Sequence, residues 1–502
     1  MPTLHALRDF LTRGLARAAR EPGLRQFEIY AQSGEQIVAR LNYTSDLPSR
    51  GVEETKSLHS QGLAVRVLTD DDPARFGSAS RAGELNLPSL CAALAQARRE
   101  AVHDPHFQSL PASRAPAAAT WERPGLMGLT SLALTGYAWR ILRGALDTFD
   151  HREEVPNPPA LIVGGDLTLT RDRIAVAGSQ LSGIRADESA HFTATVTVVI
   201  EATGAKSAAS AAGRSIDQLE QAVQLGAQAM AGALRGGNGI CPPEGRYPVL
   251  LGPQPIAEIL GYMVLPSLSA ASFYRADSAY YGRLASAVMD PRLDLEDNPR
   301  AAWGALHRQI SCEGLSTTRT SLIRNGKVAG LMASYYDTLR LRAAQAGVAA
   351  QTSGLALKPN CGWRLGSYGG RRFDAPPRAV ASNVALRARG GREEGKLAGD
   401  IRHGIQVGRV WYTYPINGQR AGDFTCTVSG DSYLIVDGRV SAPIVPNRLR
   451  INANIDEVFN AVRAAGNRTH LALVWGEPHV FYVPALAVDS LSFAPVGREP
   501  PR

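Results

Sequence analysis

The strongest β-strand pattern in the chain lies in Asp400–Ile444, which reads D-I-R-H-G-I-Q-V-G-R-V-W-Y-T-Y-P-I-N-G-Q-R-A-G-D-F-T-C-T-V-S-G-D-S-Y-L-I-V-D-G-R-V-S-A-P-I. Val407–Tyr414 is rich in β-branched and aromatic residues and predicts a strand. Tyr433–Val436 and Arg439–Val440 flank Asp437-Gly438, a dipeptide that favours a type I′ hairpin because both residues tolerate positive φ. The stretch therefore predicts an antiparallel sheet at the centre of the C-terminal half.

Toward the N-terminus, helix and strand patterns alternate. Leucines at helical spacing predict an amphipathic helix over Leu4–Ala19. Strands are predicted at Phe27–Ala31, Ile37–Leu41 and Gly62–Leu68, with a turn at Ser33-Gly34-Glu35 between the first two. Further along, the sequence predicts a helix that starts at Pro88 and helices at Thr135–Asp147, Ser215–Leu234 and Tyr336–Ala346. A last helix is predicted to have an apolar face formed by Ile455, Val458, Phe459 and Val462 and to end at Gly466. A hairpin is predicted at Asn325-Gly326, and strands are predicted at Ala160–Leu169, Phe192–Glu201, Val480–Val483 and Leu486–Phe493.

These elements predict an α+β fold in which an N-terminal α/β domain precedes a larger C-terminal domain built on a mostly antiparallel, barrel-like β-sheet. Residues 1–110 are expected to form the N-terminal domain. Residues 111–240 are expected to hold a linker and a middle α/β section continuous with that domain, because Pro105–Pro124 is rich in proline, alanine and serine. Residues 241–502 are expected to form the β-rich domain.

Composition excludes several protein classes. The net charge is +8, but the basic residues, of which only five are lysines, are scattered in no block of five or six, so nucleic acid is not the expected partner. Five widely spaced cysteines favour a reducing compartment. The longest apolar segment, Tyr247–Phe273, is interrupted by Pro253, Pro255, Glu258 and Pro266, and the N-terminus has no apolar run of signal-peptide length. We therefore expect a cytoplasmic protein with no membrane span.

Two histidine motifs are candidate metal sites. His103 and His106 stand three apart, as zinc ligands on a helix can, but Pro105 between them disfavours helical geometry. His151 begins His-Arg-Glu-Glu, which lacks the second histidine of the zinc helix His-Glu-x-x-His and precedes two prolines. A solvated turn is the favoured interpretation for His151, and no metal is predicted in this chain.

Other candidates for chemistry are isolated residues. Cys361 and Cys312 are the best thiol nucleophile candidates, although no histidine lies near either in sequence. His403, His470 and His479 could each serve acid–base chemistry, or could be structural residues held by hydrogen bonds. An aromatic cluster with neighbouring arginines could stack on bases, hold a peptide or pack a core: Trp411, Tyr412, Tyr414, Arg402 and Arg409.

Several of these pieces, in their order along the chain, resemble the TldD/PmbA (TldD/TldE) family. The resemblance is carried in the N-terminal part by Glu28-Ile-Tyr30, Gly62-Leu-Ala-Val-Arg-Val67, Arg75-Phe-Gly-Ser-Ala79 and Ala95-Gln-Ala-Arg98. In the C-terminal part it is carried by Glu313-Gly314, Thr317-Thr-Arg-Thr320, Ile323-Arg-Asn-Gly326, Asp400-Ile-Arg-His-Gly404, Gly422-Asp-Phe-Thr425, Val428-Ser-Gly430, Tyr433-Leu-Ile435 and Asp437-Gly438. The ordered set covers nearly the whole chain, and no single motif in it is decisive.

The metal-bearing TldD branch of that family has His-Glu-x-x-x-His on a helix after a Gly-Pro turn, and a cysteine near the C-terminus as a further zinc ligand. The matching segment follows Gly252-Pro253, where Gly261, Tyr262 and Pro266 stand at the degenerate motif positions. The cysteine position falls near Trp475-Gly476, which holds no cysteine. The chain therefore resembles the PmbA/TldE branch, which lacks the zinc-binding motif.

The resemblance implies a non-catalytic subunit of a heterodimeric zinc metallopeptidase that processes or degrades unfolded peptides, a ribosomal peptide precursor among them. It implies a TldD-like partner that carries the zinc, a peptide substrate and no cofactor in this chain; a homodimer is the alternative when the chain is expressed alone. Arg402, His403, Trp411 and Tyr412 are then candidates for contact with peptide or partner. Two other functions stay open: a metal-independent peptide hydrolase or modifying enzyme, and a modulator of DNA gyrase or nucleic acid.

Overall fold

One antiparallel sheet organises the N-terminal part of the chain. The computed structural model describes residues 2–45, 51–114, 125–150, 161–284, 286–344, 352, 354–365 and 372–497. The strands of this sheet are β1 (Leu24–Thr44), β2 (Lys56–Thr69), β3 (Phe76–Ala82), β4 (Leu161–Gly178), β5 (Arg185–Ile200) and β6 (Ala205–Gly213). They pair in the order β3-β2-β1-β4-β5-β6, so strands from both sides of residues 115–124 share one sheet.

Helices cover one face of this sheet: α1 (Leu4–Ala18), α2 (Leu87–Arg99), α3 (Ser131–Asp150), α4 (Ile216–Ala222) and α5 (Leu225–Arg235). Leu11 and Leu90 join α1 and α2 to one apolar core, and Leu142 and Met230 join α3 and α5 to another. Side chains alternate between the faces of a strand, so the apolar residues of β5 point to the helices while its threonines occupy the opposite face. That opposite face is polar and lies toward the C-terminal half.

Two predictions in this part are wrong. The turn at Ser33-Gly34-Glu35 does not exist, because β1 continues through it; a Cβ atom at Gly34 would lie 2.5 Å from Oδ1 of Asp172 on β4. This glycine therefore permits close packing within the sheet. The single helix predicted over Ser215–Leu234 is two helices that meet between Ala222 and Leu225.

The C-terminal part is dominated by β-structure, so the predicted α+β fold class is confirmed. A curled, half-barrel sheet has nine strands in the described chain: β7 (Gly245–Leu251), β16 (His403–Val407), β17 (Arg409–Pro415), β18 (Asp423–Gly430), β19 (Tyr433–Val436), β20 (Arg439–Pro443), β21 (Leu449–Asn454), β22 (Val462–Ala465) and β25 (Leu486–Pro495). The order is β17-β18-β21-β25-β7-β16-β19-β20, with β22 also paired to β25. All pairs are antiparallel except β7 with β16.

A second sheet, β10-β9-β8-β15-β24-β23, packs beside the first. Its strands are β8 (Leu293–Asp297), β9 (Thr320–Arg324), β10 (Lys327–Val328), β15 (Asn383–Ala388), β23 (His470–Ala472) and β24 (Val480–Val483). Short pairs are formed by β11 (Gly330–Met332) with β12 (Ala356–Lys358), and by β13 (Gly362–Trp363) with β14 (Arg378–Ala379). The helices are α6 (Pro253–Ile259), a π-helical turn (Leu260–Val264), α7 (Leu265–Ser267), α8 (Ala270–Arg275), α9 (Tyr335–Ala343) and α10 (Ile455–Phe459).

Both predicted hairpins are confirmed. Asp437 and Gly438 have φ of 46° and 76°, and Asn325 and Gly326 have φ of 50° and 71°, as the two central residues of a type I′ turn require. The single strand predicted at Val407–Tyr414 is wrong, because the chain passes from β16 to β17 at Gly408.

Gly408 has no room for a side chain, since a Cβ atom there would collide with the carbonyl oxygen of Asp431. The predicted helical position of Val462 is also wrong. Val462 pairs with Val488 of β25, so its β-branched side chain serves a sheet after α10 has ended at Phe459.

A buried charge cluster joins the two parts of the molecule. Arg66 on β2 donates from Nε and Nη2 to Glu28 at 2.9 and 2.7 Å, and from Nη1 to Glu313 at 2.9 Å. The second oxygen of Glu313 accepts the N–H of Tyr335 at 2.8 Å. One arginine therefore ties the N-terminal sheet to the loop before β9 and to the start of α9.

The described helices include none with both the length and the apolar character needed to cross a membrane. The predicted motif at His151 and the part of the predicted linker at residues 115–124 lie outside the described residues.

Candidate functional site

The degenerate zinc-motif positions lie at the junction of α6 and the π-helical turn. Gly261 and Tyr262 are in that turn, and Pro266 is in α7. The Tyr262 hydroxyl donates to the backbone carbonyl of Trp475 at 2.5 Å. The two segments at which the family resemblance placed zinc ligands, α6 with its extension and the loop at Trp475-Gly476, therefore adjoin in space.

The side chains at this junction do not fit a zinc site. A protein zinc site uses three or four nitrogen, sulfur or carboxylate ligands, and glycine and proline side chains supply none. Burial raises the pKa of the Tyr262 hydroxyl to about 12, which keeps it protonated. Within the described ranges, no cluster of three or more His, Cys, Asp or Glu residues is arranged to hold a metal ion.

A cavity of about 590 Å³ lies next to this junction, between the N-terminal sheet and the C-terminal β-structure. Its volume is within the range of small-molecule binding sites. One wall is the polar face of the N-terminal sheet, and the opposite wall is formed by α6, β17 and residues 473–480. The polar wall consists of side chains that alternate along β4 and β5: Asp166, Thr168, Thr170, Thr193, Thr195 and Thr197.

Three cationic side chains line this cavity, Arg308, Lys206 and Arg409, and the last two form no ion pair with a described residue. Lys206 on β6 places Nζ 4.6 Å from the centre of the Trp411 ring, and Arg409 on β17 donates from Nη1 to the carbonyl of Ala208 at 2.9 Å. Burial lowers the pKa of both groups, and the charge of Arg409 lowers that of Lys206 further. The charges of Asp431 and Glu258 act in the opposite direction on Arg409 and raise its pKa, whereas no carboxylate of the described residues has that effect on Lys206.

A carboxyl group enters the cavity from α6. Burial raises the pKa of Glu258 to about 7, and Gln254 donates to its Oε1 at 3.0 Å. The same Gln254 amide accepts the N–H of Val410 at 2.9 Å and donates to the Val410 carbonyl at 3.1 Å. Gln254 therefore fixes α6 against β17 and positions Glu258. A second carboxyl group, Glu477, lines the cavity from the 473–480 loop, and burial raises its pKa as well.

His479 completes this group. Its side chain is 6% exposed, lines the cavity and stacks edge-on against Phe481 at 4.8 Å between ring centres. Burial lowers its pKa to about 3, so the imidazole is neutral at physiological pH. Neither ring nitrogen has a hydrogen-bond partner in the described chain, and the nearest carboxylate oxygen, of Glu477, is 3.6 Å away. This cavity-lining residue therefore has one N–H donor and one nitrogen acceptor without a partner among the described residues.

The predicted contact residues fall into two places. Trp411 lines the cavity, and its ring centre lies 4.5 Å from that of Tyr412, which is 67% exposed and has a φ of 52°. A register shift between Trp411 and Tyr414 accompanies this strained conformation. Arg402 and His403 instead line a separate pocket of about 500 Å³ on β16. The structure therefore brings Trp411 and Tyr412 together and places the other pair elsewhere.

The two thiol candidates, Cys361 and Cys312, are buried, with 2% and 1% of their surface exposed. Burial is the largest cause of the raised pKa of Cys361 and of Cys312, and a nearby carboxylate raises each further: Asp297 for Cys361, Glu313 for Cys312. A nucleophilic thiol needs a lowered pKa and access to substrate. This environment does not favour thiol catalysis.

The other histidines that the sequence singled out, His103, His106 and His470, do not line the cavity. His103 is exposed, and Nε2 of His106 lies 3.4 Å from the hydroxyl of Tyr274. His470 is bonded to Glu394 on the surface. These contacts are structural in character and point to no shared site.

Sequence reasoning missed Lys206, Glu258 and Glu477 as site residues. Glu258 carried a signal, because it is a single carboxylate inside the apolar segment around α6. Lys206 and Glu477 carried none, since their shared cavity arises only when β6, β17 and the 473–480 loop meet.

Comparison with known proteins agrees with the fold. The profile of the PmbA/TldA metallopeptidase C-terminal domain matches residues 244–495, half of the chain. The chain therefore belongs to the TldD/PmbA family. No curated protein matches the chain.

Solved structures of similar fold span nearly the full length. TldE from Thermococcus kodakarensis is 16% identical, with a TM-score of 0.72 over 98% of this chain and 99% of that chain. A proposed modulator of DNA gyrase from Bacteroides thetaiotaomicron is 15% identical, with a TM-score of 0.72 over 99% of this chain and 100% of that chain. A protein from Thermotoga maritima with the same description is 14% identical, with a TM-score of 0.70 over 97% and 99%.

Proposed function

We propose that this chain is the metal-free, TldE-like subunit of a heterodimeric zinc peptidase. One observation carries the proposal: the junction of α6 with the Trp475 loop, to which the family resemblance assigns the zinc ligands, holds Gly261, Tyr262 and Pro266. Zinc-dependent hydrolysis needs ligands for the ion and a base for its water. The subunit that cuts the peptide bond is then a TldD-like partner, with His-Glu-x-x-x-His intact.

In this proposal the chain forms part of the wall of a chamber that admits unfolded peptides, among them ribosomally made precursors. Membership of the TldD/PmbA family and the likeness in fold to TldE support this role. The aromatic residues Trp411 and Tyr412 are the side chains proposed to contact peptide or partner. We place the assembly in the cytoplasm, in keeping with five cysteines that are all free.

Co-expression with a TldD-like chain tests the proposal. We expect the two chains to co-purify as a heterodimer on size-exclusion chromatography with light scattering. We also expect the pair, and not this chain alone, to cleave an unfolded peptide substrate in a chelator-sensitive reaction. The matched control is a partner whose motif glutamate is replaced by glutamine, which should assemble without cleaving.

Two outcomes would refute the proposal. One is peptide cleavage by this chain alone that persists in the presence of chelator. The other is failure to assemble with any TldD-like chain while a homodimer persists at the same concentration.

A further inference from the structure

We infer that the inter-sheet cavity is a binding site for the carboxylate end of a short peptide, with Lys206 and Arg409 receiving the carboxylate. The inference deepens the proposed function. The choice of a peptide over another amide-bearing carboxylate rests on that function, whereas the carboxylate itself is argued from the lining of the cavity alone.

The anionic character of the ligand follows from the two cations. Both side chains line the cavity, and Arg409 lies close enough to Lys206 for its charge to lower the pKa of Lys206. Asp431 and Glu258 partly offset the charge of Arg409, whereas no carboxylate in the described chain offsets that of Lys206. Keeping two like charges together in a partly buried space is unfavourable until an anion joins them. A carboxylate would accept charge-assisted hydrogen bonds from both groups.

The rest of the lining favours a carboxylate over a phosphate. Glu258 and Glu477 line the same cavity, and their negative charge would repel a phosphate dianion more strongly than a carboxylate monoanion. When ionised, the carboxylates of Glu258 and Glu477 can accept hydrogen bonds from the N–H groups of a peptide. His479, which also lines the cavity, has one donor and one acceptor without partners in the described part of the chain, and these would match the C=O and N–H of a peptide group.

Size and the aromatic wall fit the same ligand. A cavity of about 590 Å³ has room for a few residues of peptide and is too small for a folded segment. Trp411 contributes an aromatic face beside Lys206, and threonine hydroxyls of β4 and β5 line the other side. The end of an extended peptide would therefore contact apolar groups, hydrogen-bond donors and hydrogen-bond acceptors within the same cavity.

Isothermal titration calorimetry on the purified chain tests the inference with three probes. They are N-acetyl-trialanine with a free carboxylate, the same peptide with a C-terminal amide, and inorganic phosphate. We expect the free carboxylate to bind at least tenfold more tightly than the amide, because the amide lacks the charge that Lys206 and Arg409 complement. Phosphate is expected to bind more weakly than the free peptide.

The variant Lys206→Met should weaken the carboxylate peptide at least tenfold and leave the amide peptide unchanged. Lys327→Met is the matched control, because Lys327 is an exposed lysine on β10 that does not line the cavity, and it should leave both affinities unchanged. Circular dichroism checks that each variant is folded. The comparison of free and amidated peptide on the unaltered chain needs no variant.

Three results would overturn the inference: equal affinity for the free and amidated peptides, tighter binding of phosphate, or no binding of the free peptide at millimolar concentration. The test uses this chain alone and so does not depend on a partner. If the free peptide binds while no TldD-like chain assembles, the proposed function fails and the carboxylate site stands. If the pair assembles and cleaves while the free peptide does not bind here, only the carboxylate site fails.

Discussion

Glu258 is a carboxyl group on α6 among apolar residues, and its burial makes stability depend on pH. Its pKa is raised to about 7 in the folded chain, whereas a glutamate in an unfolded chain has a pKa of about 4.3. The folded state therefore holds this proton between about pH 4 and pH 7 while the unfolded state releases it. Stability from this group is fully present below pH 4 and is lost as the pH rises through 7.

We predict that Glu258→Gln gains stability relative to the parent chain as the pH rises from 5 to 8, on the order of 3 kcal/mol. The amide resembles the protonated carboxyl group and carries no charge at any pH. Urea unfolding at several pH values measures the difference, in which other titrating groups cancel.

Glu201→Gln is the control, because Glu201 is exposed in the turn after β5. The free energy of unfolding of this control variant should change with pH in the same way as that of the parent chain. A pH-independent difference for Glu258→Gln would contradict the assigned burial.

At the scale of single residues, the sequence predicts little of the candidate site. Glu258 can be noticed as a lone charge in an apolar segment, and Trp411 as part of an aromatic strand. Lys206 could not be found, because its role depends on Arg409, two hundred residues away, and on the meeting of β6 with β17. Local patterns contain no information about such a long-range meeting.

Two helical glycines test how closely α3 and α5 pack. A Cβ atom at Gly226 of α5 would collide with the carbonyl oxygen of Ile141 on α3, whereas one at Gly136 of α3 meets no atom within 4 Å. We predict that Gly226→Ala destabilises the chain by about 1–3 kcal/mol, because the helices must separate. Gly136→Ala should stabilise it by up to about 1 kcal/mol, because alanine has the higher helix propensity.

Thermal or urea unfolding of the two variants measures these opposite effects under the same conditions. A loss of stability in both variants, or in neither, would show that the approach of α5 to α3 is not as close as described.

At the scale of elements, local rules succeed where the determinant is local. The Asp437-Gly438 and Asn325-Gly326 hairpins are predicted because the turn needs residues that tolerate positive φ. The turn predicted at Gly34 is wrong because this glycine makes room for the side chain of Asp172 on the neighbouring strand, and the strand continues through it. Val462 fits a helical face in sequence, but pairing with Val488 places it in a sheet.

Arg66 is the main polar link between the two parts of the molecule. Its side chain is 4% exposed, and its partners Glu28 and Glu313 are 3% and 0% exposed. We predict that Arg66→Met lowers the free energy of unfolding by about 3–5 kcal/mol, because it leaves two buried carboxylates without their cation. Urea unfolding measures this loss.

Arg40→Met is the matched control, because Arg40 forms an exposed salt bridge with Asp166 at 2.9 Å on the same sheet. Exposed pairs contribute up to about 1 kcal/mol, so this variant should be nearly neutral. Equal losses in the two variants would contradict the role given to the buried cluster.

The central claim concerns which subunit holds the metal, and zinc stoichiometry tests it most directly. Inductively coupled plasma mass spectrometry should find one zinc ion per heterodimer. That zinc should be lost when the two motif histidines of the TldD-like partner are replaced, and retained when Tyr262 of this chain is replaced by phenylalanine. Zinc bound at full occupancy to this chain alone would contradict the account.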